Sequence, residues 1–261
     1  GTLTSRSFLS LWLRWTQEAL HLPEIARRSI SGLCPKSYLF LKPPLISRIL
    51  RRTHFPGRDC RGFAMTLTVR ALPRKQFTDI RDTIAALRIA VFREWPYLYD
   101  GDMAYEQRYL QAYMDSPDAF LLGVFHGSDM VGASTASPLA SHHEEFSTPM
   151  QQAGLDPAQI FYFGESVVLP QWRGQGVGAA FFSMREAQAR LTGFNTCLFS
   201  AVIRPQNHPL RPADYVPLDA FWQRRGYTCL QGIETTFAWK DIDSDSETMK
   251  PMAYWIKRLE T

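Results

Sequence analysis

Three glycines, Gly174, Gly176 and Gly178, stand at every second position of the stretch VVLPQWRGQGVGAAFFSMREAQARL, where an apolar strand pattern gives way to a helical one. Glycine in a helix interior costs about 1 kcal/mol against alanine, so a chain that places three at this junction needs bare backbone there. A helix opens with N–H groups that have no partner inside it, and its dipole favours negative charge at that end. Without a Cβ in the way, an anion can approach those groups closely. Strand, glycine-rich turn and helix together make a site for phosphate or pyrophosphate, and Arg173 adds a cation beside it.

Two common phosphate loops fit poorly. A P-loop requires a Gly-Lys pair followed by Ser or Thr, and no Gly-Lys pair occurs in the chain. A Rossmann fingerprint reads GxGxxG near the start of a βαβ unit, with an acid some 20 residues on. Here the glycines read GxGxG, late in the chain and after hairpins.

Charge divides the 261 residues in two. Residues 1–64 hold 11 of the 29 Lys and Arg and three of the 25 acids, a balance of +8; the remainder holds 18 and 22, a balance of −4. The basic segment is rich in Arg and Ser and carries no chemical motif. It is read as an accessory extension, partly helical or poorly ordered; a transit peptide or a tether to acidic membranes or nucleic acid are the other readings. No apolar run approaches the roughly 20 residues that cross a bilayer. The four cysteines lack metal-ligand spacing, and reduced, buried thiols in a cytoplasmic protein are expected.

From Met65 the pattern becomes regular. TLTVRAL alternates as a strand, and DIRDTIAALRIAVFREW has helical spacing with Ile80, Ile84, Leu87 and Val91 on one face. YEQRYLQAYM suggests a second helix, and AFLLGVFHGSDMVGASTAS a β-hairpin turning at residues 126–129. Residues 138–158 read as a loop. IFYFGESVVLP is a strand, and the helix after the glycines shows Val177, Ala180, Phe181, Met184, Ala187 and Leu191 on one side, with Glu186 and Arg190 as an i,i+4 pair on another. CLFSAVI is a further strand, LDAFWQRRGY a short helix, and CLQGIETTFAWK supplies the last strands. Mixed helices and hairpins argue for an α+β fold rather than a fully parallel sheet.

Gln171-Trp172-Arg173-Gly174-Gln175-Gly176-Val177-Gly178 resembles the acyl-CoA pyrophosphate loop of the GNAT acetyltransferase superfamily, Arg/Gln-x-x-Gly-x-Gly/Ala, with Arg173, Gly176 and Gly178 at its fixed positions. The strand before it and FWQRRGY, residues 221–227, are similar to that family's central strand and later aromatic segment. The resemblance spans residues 65–261 and implies a mixed, mostly antiparallel central sheet flanked by helices. It implies acetyl-CoA as co-substrate, with backbone groups around Val167 and Val168 on the pantetheine arm. The amides of Arg173, Gly174, Gln175, Gly176, Val177 and Gly178 would hold the pyrophosphate, with Asn207 near the cofactor. The activity implied is transfer of an acetyl group to a small-molecule amine by direct transfer in a ternary complex.

Such a transfer needs a deprotonated amine, a polarised thioester carbonyl and a proton for the departing thiolate. Glu165 is the expected base, because a carboxylate in an apolar strand is costly unless partnered or used. The tyrosine that the family uses as acid falls at Trp222, so Tyr215, in an extra loop, is the substitute considered, alongside release without a dedicated acid. That departure also supports the alternative of a noncatalytic acyl-CoA-binding or sensor domain. Glu94, Tyr97 and Tyr99, in FREWPYLYDGDMAYE, are expected to hold a cationic amine. His142 and His143 beside two glutamates are read as a solvated loop, so no metal is expected; no nucleic acid is expected as partner, and the oligomeric state, monomer or homodimer, is left open.

Overall fold

The alternation of LTVRA sets up the first strand, β1 (Leu67–Ala71), at the edge of a seven-stranded sheet. This is a computed structural model, and it describes residues 66–142 and 144–260. The basic extension expected over residues 1–64 lies outside them.

After a 3₁₀ turn, helix α1 (Phe77–Phe92) buries Phe77, Ile84, Ala85 and Leu87, the face its spacing foretells. Helix α2 (Met103–Asp115) starts where the Asp102 side chain accepts from the Tyr105 N–H at 2.8 Å, satisfying one of the helix's orphan donors. The hairpin of β2 (Phe120–His126) and β3 (Asp129–Pro138) follows, with Gly127 in the left-handed region at φ 62°. Then come α3 (Glu144–Gln152), β4 (Ile160–Val168), α4 (Val177–Leu191), β5 (Thr196–Val202), α5 (Asp219–Arg224), β6 (Thr228–Lys240) and β7 (Glu247–Arg258).

The strand order is β1-β2-β3-β4-β5-β7-β6, antiparallel throughout except for β4 and β5. Helices α1 and α2 cover one face, packing Ile84, Leu87 and Leu110 on Leu121, Ala133 and Val167. Helix α4 covers the other, with Val177 and Phe181 on Leu122, Val124 and Val131. The fold is the mixed, mostly antiparallel sheet flanked by helices that the sequence suggests.

Three local expectations are corrected. Residues 138–158 are not all loop, since α3 forms there despite Pro149 inside it. The C-terminal residues 247–258 form a full strand, β7, that the apolar pattern did not reveal. On α4, Leu191 is 82% exposed as the last residue of the helix, while Arg185 and Glu186 are buried. Glu186 therefore makes no surface pair with Arg190; it accepts from the Tyr227 hydroxyl at 3.1 Å and from Lys257 Nζ at 3.0 Å.

Candidate active site

Strand β4 pairs with β5 only from Ile160↔Thr196 to Tyr162↔Leu198. Beyond Tyr162 the two strands part, and the C-terminal half of β4 keeps a partner on one side alone. Leu169 N–H donates to Val131 O at 3.0 Å, so by the alternation of strand polar groups Val167 also turns its N–H and C=O toward β3. Ser166 and Val168 turn theirs into the parting. Val168 O accepts from Arg173 Nε at 2.9 Å, which leaves the Ser166 pair and the Val168 N–H for a ligand laid along the edge. Val167, expected on the pantetheine arm, turns its main-chain groups to β3, and its side chain is fully buried. Ser166 instead turns its main-chain groups into the parting, which the register set by Leu169 and β3 shows and the sequence alone does not.

The β3–β4 register breaks between Ser134↔Ser166 and Ala136↔Phe163, so Thr135 faces two residues, Gly164 and Glu165. This bulge puts both on the α1–α2 face. Gly164 is required there, because a Cβ would collide with the Tyr113 hydroxyl and Thr135 Oγ1.

Glu165 is 4% exposed and does not stand alone. Arg88 of α1 donates from Nη1 to Glu165 Oε2 at 2.6 Å and from Nε to Oε2 of Glu106, a fully buried residue of α2. The Tyr109 hydroxyl lies 3.5 Å from Glu165 Oε2, and its ring centroid 4.1 Å from the Arg88 guanidinium carbon. Burial alone would weaken the charge on Arg88, but Glu165, Tyr109 and Glu106 outweigh it and hold the guanidinium well above its ordinary value. Two carboxylates share one cation, and Oε1 of each has no hydrogen-bond partner among the described residues. Arg88 was missed in the sequence because nothing in the helical spacing marks it as buried, and Glu106, noted there only among the acids of FREWPYLYDGDMAYE, is buried against it.

On the opposite face the glycine turn behaves as its sequence demands. Gly174 and Gly176 sit at φ 75° and 79°, where an L side chain is strained. Gly176 caps α4 without a side-chain bond, and the first helical bond runs from Ala180 N–H to Gly176 O, so Val177, Gly178 and Ala179 present free amides to an anion. Gln175 lies exposed in the same turn. Arg173 turns away from those amides, since its Nη1 meets Glu94 Oε2 at 2.7 Å.

The residues expected to hold the acceptor lie in the segment after α1. Tyr97 packs on Phe92 and Trp239, and its pKa rises to about 12 through burial, with Arg88 working against the rise and Tyr215 and Glu165 adding to it. Tyr99 bridges to Asp241 and lies beside Glu106; burial and that carboxylate both push its pKa up. Arg204 fixes this loop, donating to Pro96 O at 2.8 Å, to Tyr97 O at 2.5 Å and to both oxygens of Asp241. Tyr215 lies edge-on to Trp95, with centroids 5.9 Å apart, and burial raises its pKa. Asn207 is exposed in the connection from β5 to α5.

His142 is not in a solvated loop. Tyr113, Phe146 and Tyr162 surround its ring, and its Nε2 lies 2.7 Å from Ser137 Oγ. His143 lies outside the described residues. Trp222, at the position of the expected tyrosine, packs on Phe199 and Trp255. Cys197 is fully buried and its thiol is pushed up to about 12, chiefly by burial, which suits packing and not attack. Among the described residues no group of three His, Cys, Asp or Glu could hold a metal, and no helix is long and apolar enough to cross a membrane.

No protein-family model matches the sequence, and no curated protein matches it. Solved structures do resemble its fold. An aminoglycoside 6′-N-acetyltransferase complexed with coenzyme A is 14% identical, with 74% of this chain and 98% of that one covered, at a TM-score of 0.48. A GNAT-family acetyltransferase from Streptococcus pneumoniae is 11% identical, with 74% and 100% covered and a TM-score of 0.45. A Salmonella typhimurium protein solved with its cofactor acetyl-CoA is 12% identical, with 75% and 95% covered and a TM-score of 0.46. The chain's own topology has one parallel strand pair, β4 and β5, that parts beside a glycine turn into a helix.

Proposed function

We propose that the chain is an acetyl-CoA-dependent N-acetyltransferase that moves an acetyl group to the amine of a small molecule by direct transfer in a ternary complex. The observation that carries this reading is the parting of β4 from β5 beyond Tyr162, with a buried carboxylate on one face and free helix-start amides on the other. The residues fit an acyl-CoA. Its pantetheine amides match the Ser166 and Val168 edge, and its pyrophosphate matches Gly176, Val177 and Gly178. When bound, acetyl-CoA supplies an acyl group activated as a thioester.

Glu165 is the base. Arg88 holds Oε2, and Oε1 is buried without a hydrogen-bond partner among the described residues, so Glu165 would take the proton of the incoming ammonium through water. The Val168 N–H points into the parting, where it would polarise a carbonyl. Tyr215 carries its proton at neutral pH, as an acid for a departing thiolate must. Tyr97, Tyr99 and Glu94 border the acceptor's entry. As part of this reading the protein acts in the cytoplasm on soluble amines.

Calorimetric titration with acetyl-CoA, against NAD and ATP as controls, tests the binding half. Thiol release with a panel of amines tests the transfer. Binding of acetyl-CoA alone of the three, with release on at least one amine, is the expected result; no binding of acetyl-CoA would sink the proposal. Trp222 in place of tyrosine favours a second reading, a noncatalytic acyl-CoA sensor, which expects binding with no release on any amine.

A further inference from the structure

Arg185 of α4 is 1% exposed and has no carboxylate partner among the described residues. Removing a guanidinium from water without a counter-charge is expensive, so something must need it there. Its donors show what. Nη1 reaches Thr135 O at 3.3 Å and Glu165 O at 3.4 Å, Nη2 reaches Ser166 Oγ at 2.9 Å, and Nε reaches Phe181 O at 3.3 Å. The guanidinium carbon lies 4.2 Å from the Phe163 centroid and 5.1 Å from that of Phe182. Thr135 and Glu165 sit where the β3–β4 register breaks, and a bulge disrupts the ladder bonds of its own residues. Ser134 Oγ donates to Glu165 O at 2.9 Å, and Arg185 adds its own donors to the carbonyls of the bulge.

We infer that Arg185 is the positioning residue of the active site: it staples the β4 bulge from behind, and so fixes the backbone from which Glu165 reaches the acceptor face. The inference rests on Glu165 being the base of the proposed transfer. Arg88 orients the carboxylate from the front, while Arg185 holds the main chain behind it, on the other side of the sheet. Neither arginine touches substrate in this scheme. Ser166 is held by the same side chain, so the bulge and the first residue of the open edge move as one unit.

The test uses Arg185→Lys and Arg185→Met in the full chain. Lysine keeps the cation and loses the fork; methionine keeps the stem and loses every donor. With an amine the wild type accepts, kcat should fall at least tenfold in Arg185→Met and less in Arg185→Lys, while acetyl-CoA affinity and the amine KM stay within about threefold. A purely structural role would lower the melting temperature of both variants and leave kcat unchanged wherever they are folded. That result would overturn the inference, and Arg185→Lys decides it if Arg185→Met does not fold. Amide hydrogen exchange over residues 134–136 and 163–166, without any ligand, separates this inference from the enzymatic reading. Faster exchange there in Arg185→Lys supports the staple even if the wild type proves inactive on every amine. Exchange equal to wild type refutes it regardless of activity.

Discussion

Arg88 Nη1 stands 2.6 Å from Glu165 Oε2, and the same guanidinium holds Glu106 through Nε, so two buried carboxylates depend on a single cation. Removing one member of such a group costs more than removing the group, because it strands charge away from water. Arg88→Met should therefore destabilise the fold by about 3–5 kcal/mol, and adding Glu106→Gln should return part of that. Urea unfolding of the three proteins measures it. A single variant as stable as wild type would mean the triad carries no net energy.

Glu165→Gln keeps the shape of the side chain and removes its basicity. Acetyl transfer should fall by about 10²–10⁴ in kcat, while calorimetry finds acetyl-CoA affinity unchanged. Equal kcat in the variant would remove Glu165 from the chemistry and leave it a structural role.

Gly164 is pressed against the Tyr113 hydroxyl and Thr135 Oγ1. Gly164→Ala should cost about 1–3 kcal/mol by overpacking, and Tyr113→Phe in the same chain should recover a share of it by removing one of the two colliding oxygens. Denaturant midpoints for the single and double variants supply the comparison; strictly additive losses would show that the two positions are not in contact.

Glu94 and Arg173 meet at 2.7 Å with side chains 42% and 43% exposed, so their pair contributes little to stability. Its effect should be on binding. Glu94→Gln releases Arg173 toward the anion site, and acetyl-CoA should bind several-fold tighter at low salt, with the gain shrinking as salt screens the charges. Titrations at two ionic strengths check this; no change at either would show that Arg173 does not reach the cofactor's phosphates.

Alkaline pH should unfold the protein early. Burial pushes Tyr97 and Tyr254 up to about 12 from an ordinary 10.0, and Cys197 up to about 12 from 9.0. In that window the folded chain keeps protons that the unfolded chain releases, so stability falls as pH rises, by about 1.4 kcal/mol per pH unit for each group. Arg185 works the other way, since burial lowers it to about 10 from 12.5 and the unfolded chain then holds the extra proton. The buried tyrosines outnumber it. Unfolding free energy measured at a series of pH values from 9 upward should decline, with tyrosinate absorbance rising in step with unfolding; a flat profile would contradict the burial of these hydroxyls.

The glycine turn was legible because its backbone demands lie in consecutive residues. Gly174 and Gly176 adopt the left-handed backbone that only glycine takes cheaply, and the helix starts where they stop. Glu165 was legible as a charge inside an apolar strand. Its clamp was not, because Arg88 and Glu106 look like ordinary polar positions on two amphipathic helices and become buried only when those helices meet. Arg185 escaped for the same reason, on a helix whose apolar stripe appeared to lie elsewhere. The bulge at Gly164 and Glu165 was also hidden, since strand periodicity read from one sequence gives no partner register against which an extra residue would show. Strand β7 went unread because Lys250 and Pro251 interrupt its alternation, although Lys250 is buried against Asp241 and the Trp239 ring.

Where β4 leaves β5, a sheet of seven strands contains a seam, with main-chain donors and acceptors facing each other too far apart to pair. A sheet interrupted in its middle is completed by whatever lays matching amides into the gap. A molecule that does so adds to the free energy of folding, by about 2.7 kcal/mol at a concentration a hundred times its dissociation constant. The lifetime of the folded protein would then follow the supply of that molecule, and the same seam, left bare, is where a stray strand from another chain would first add.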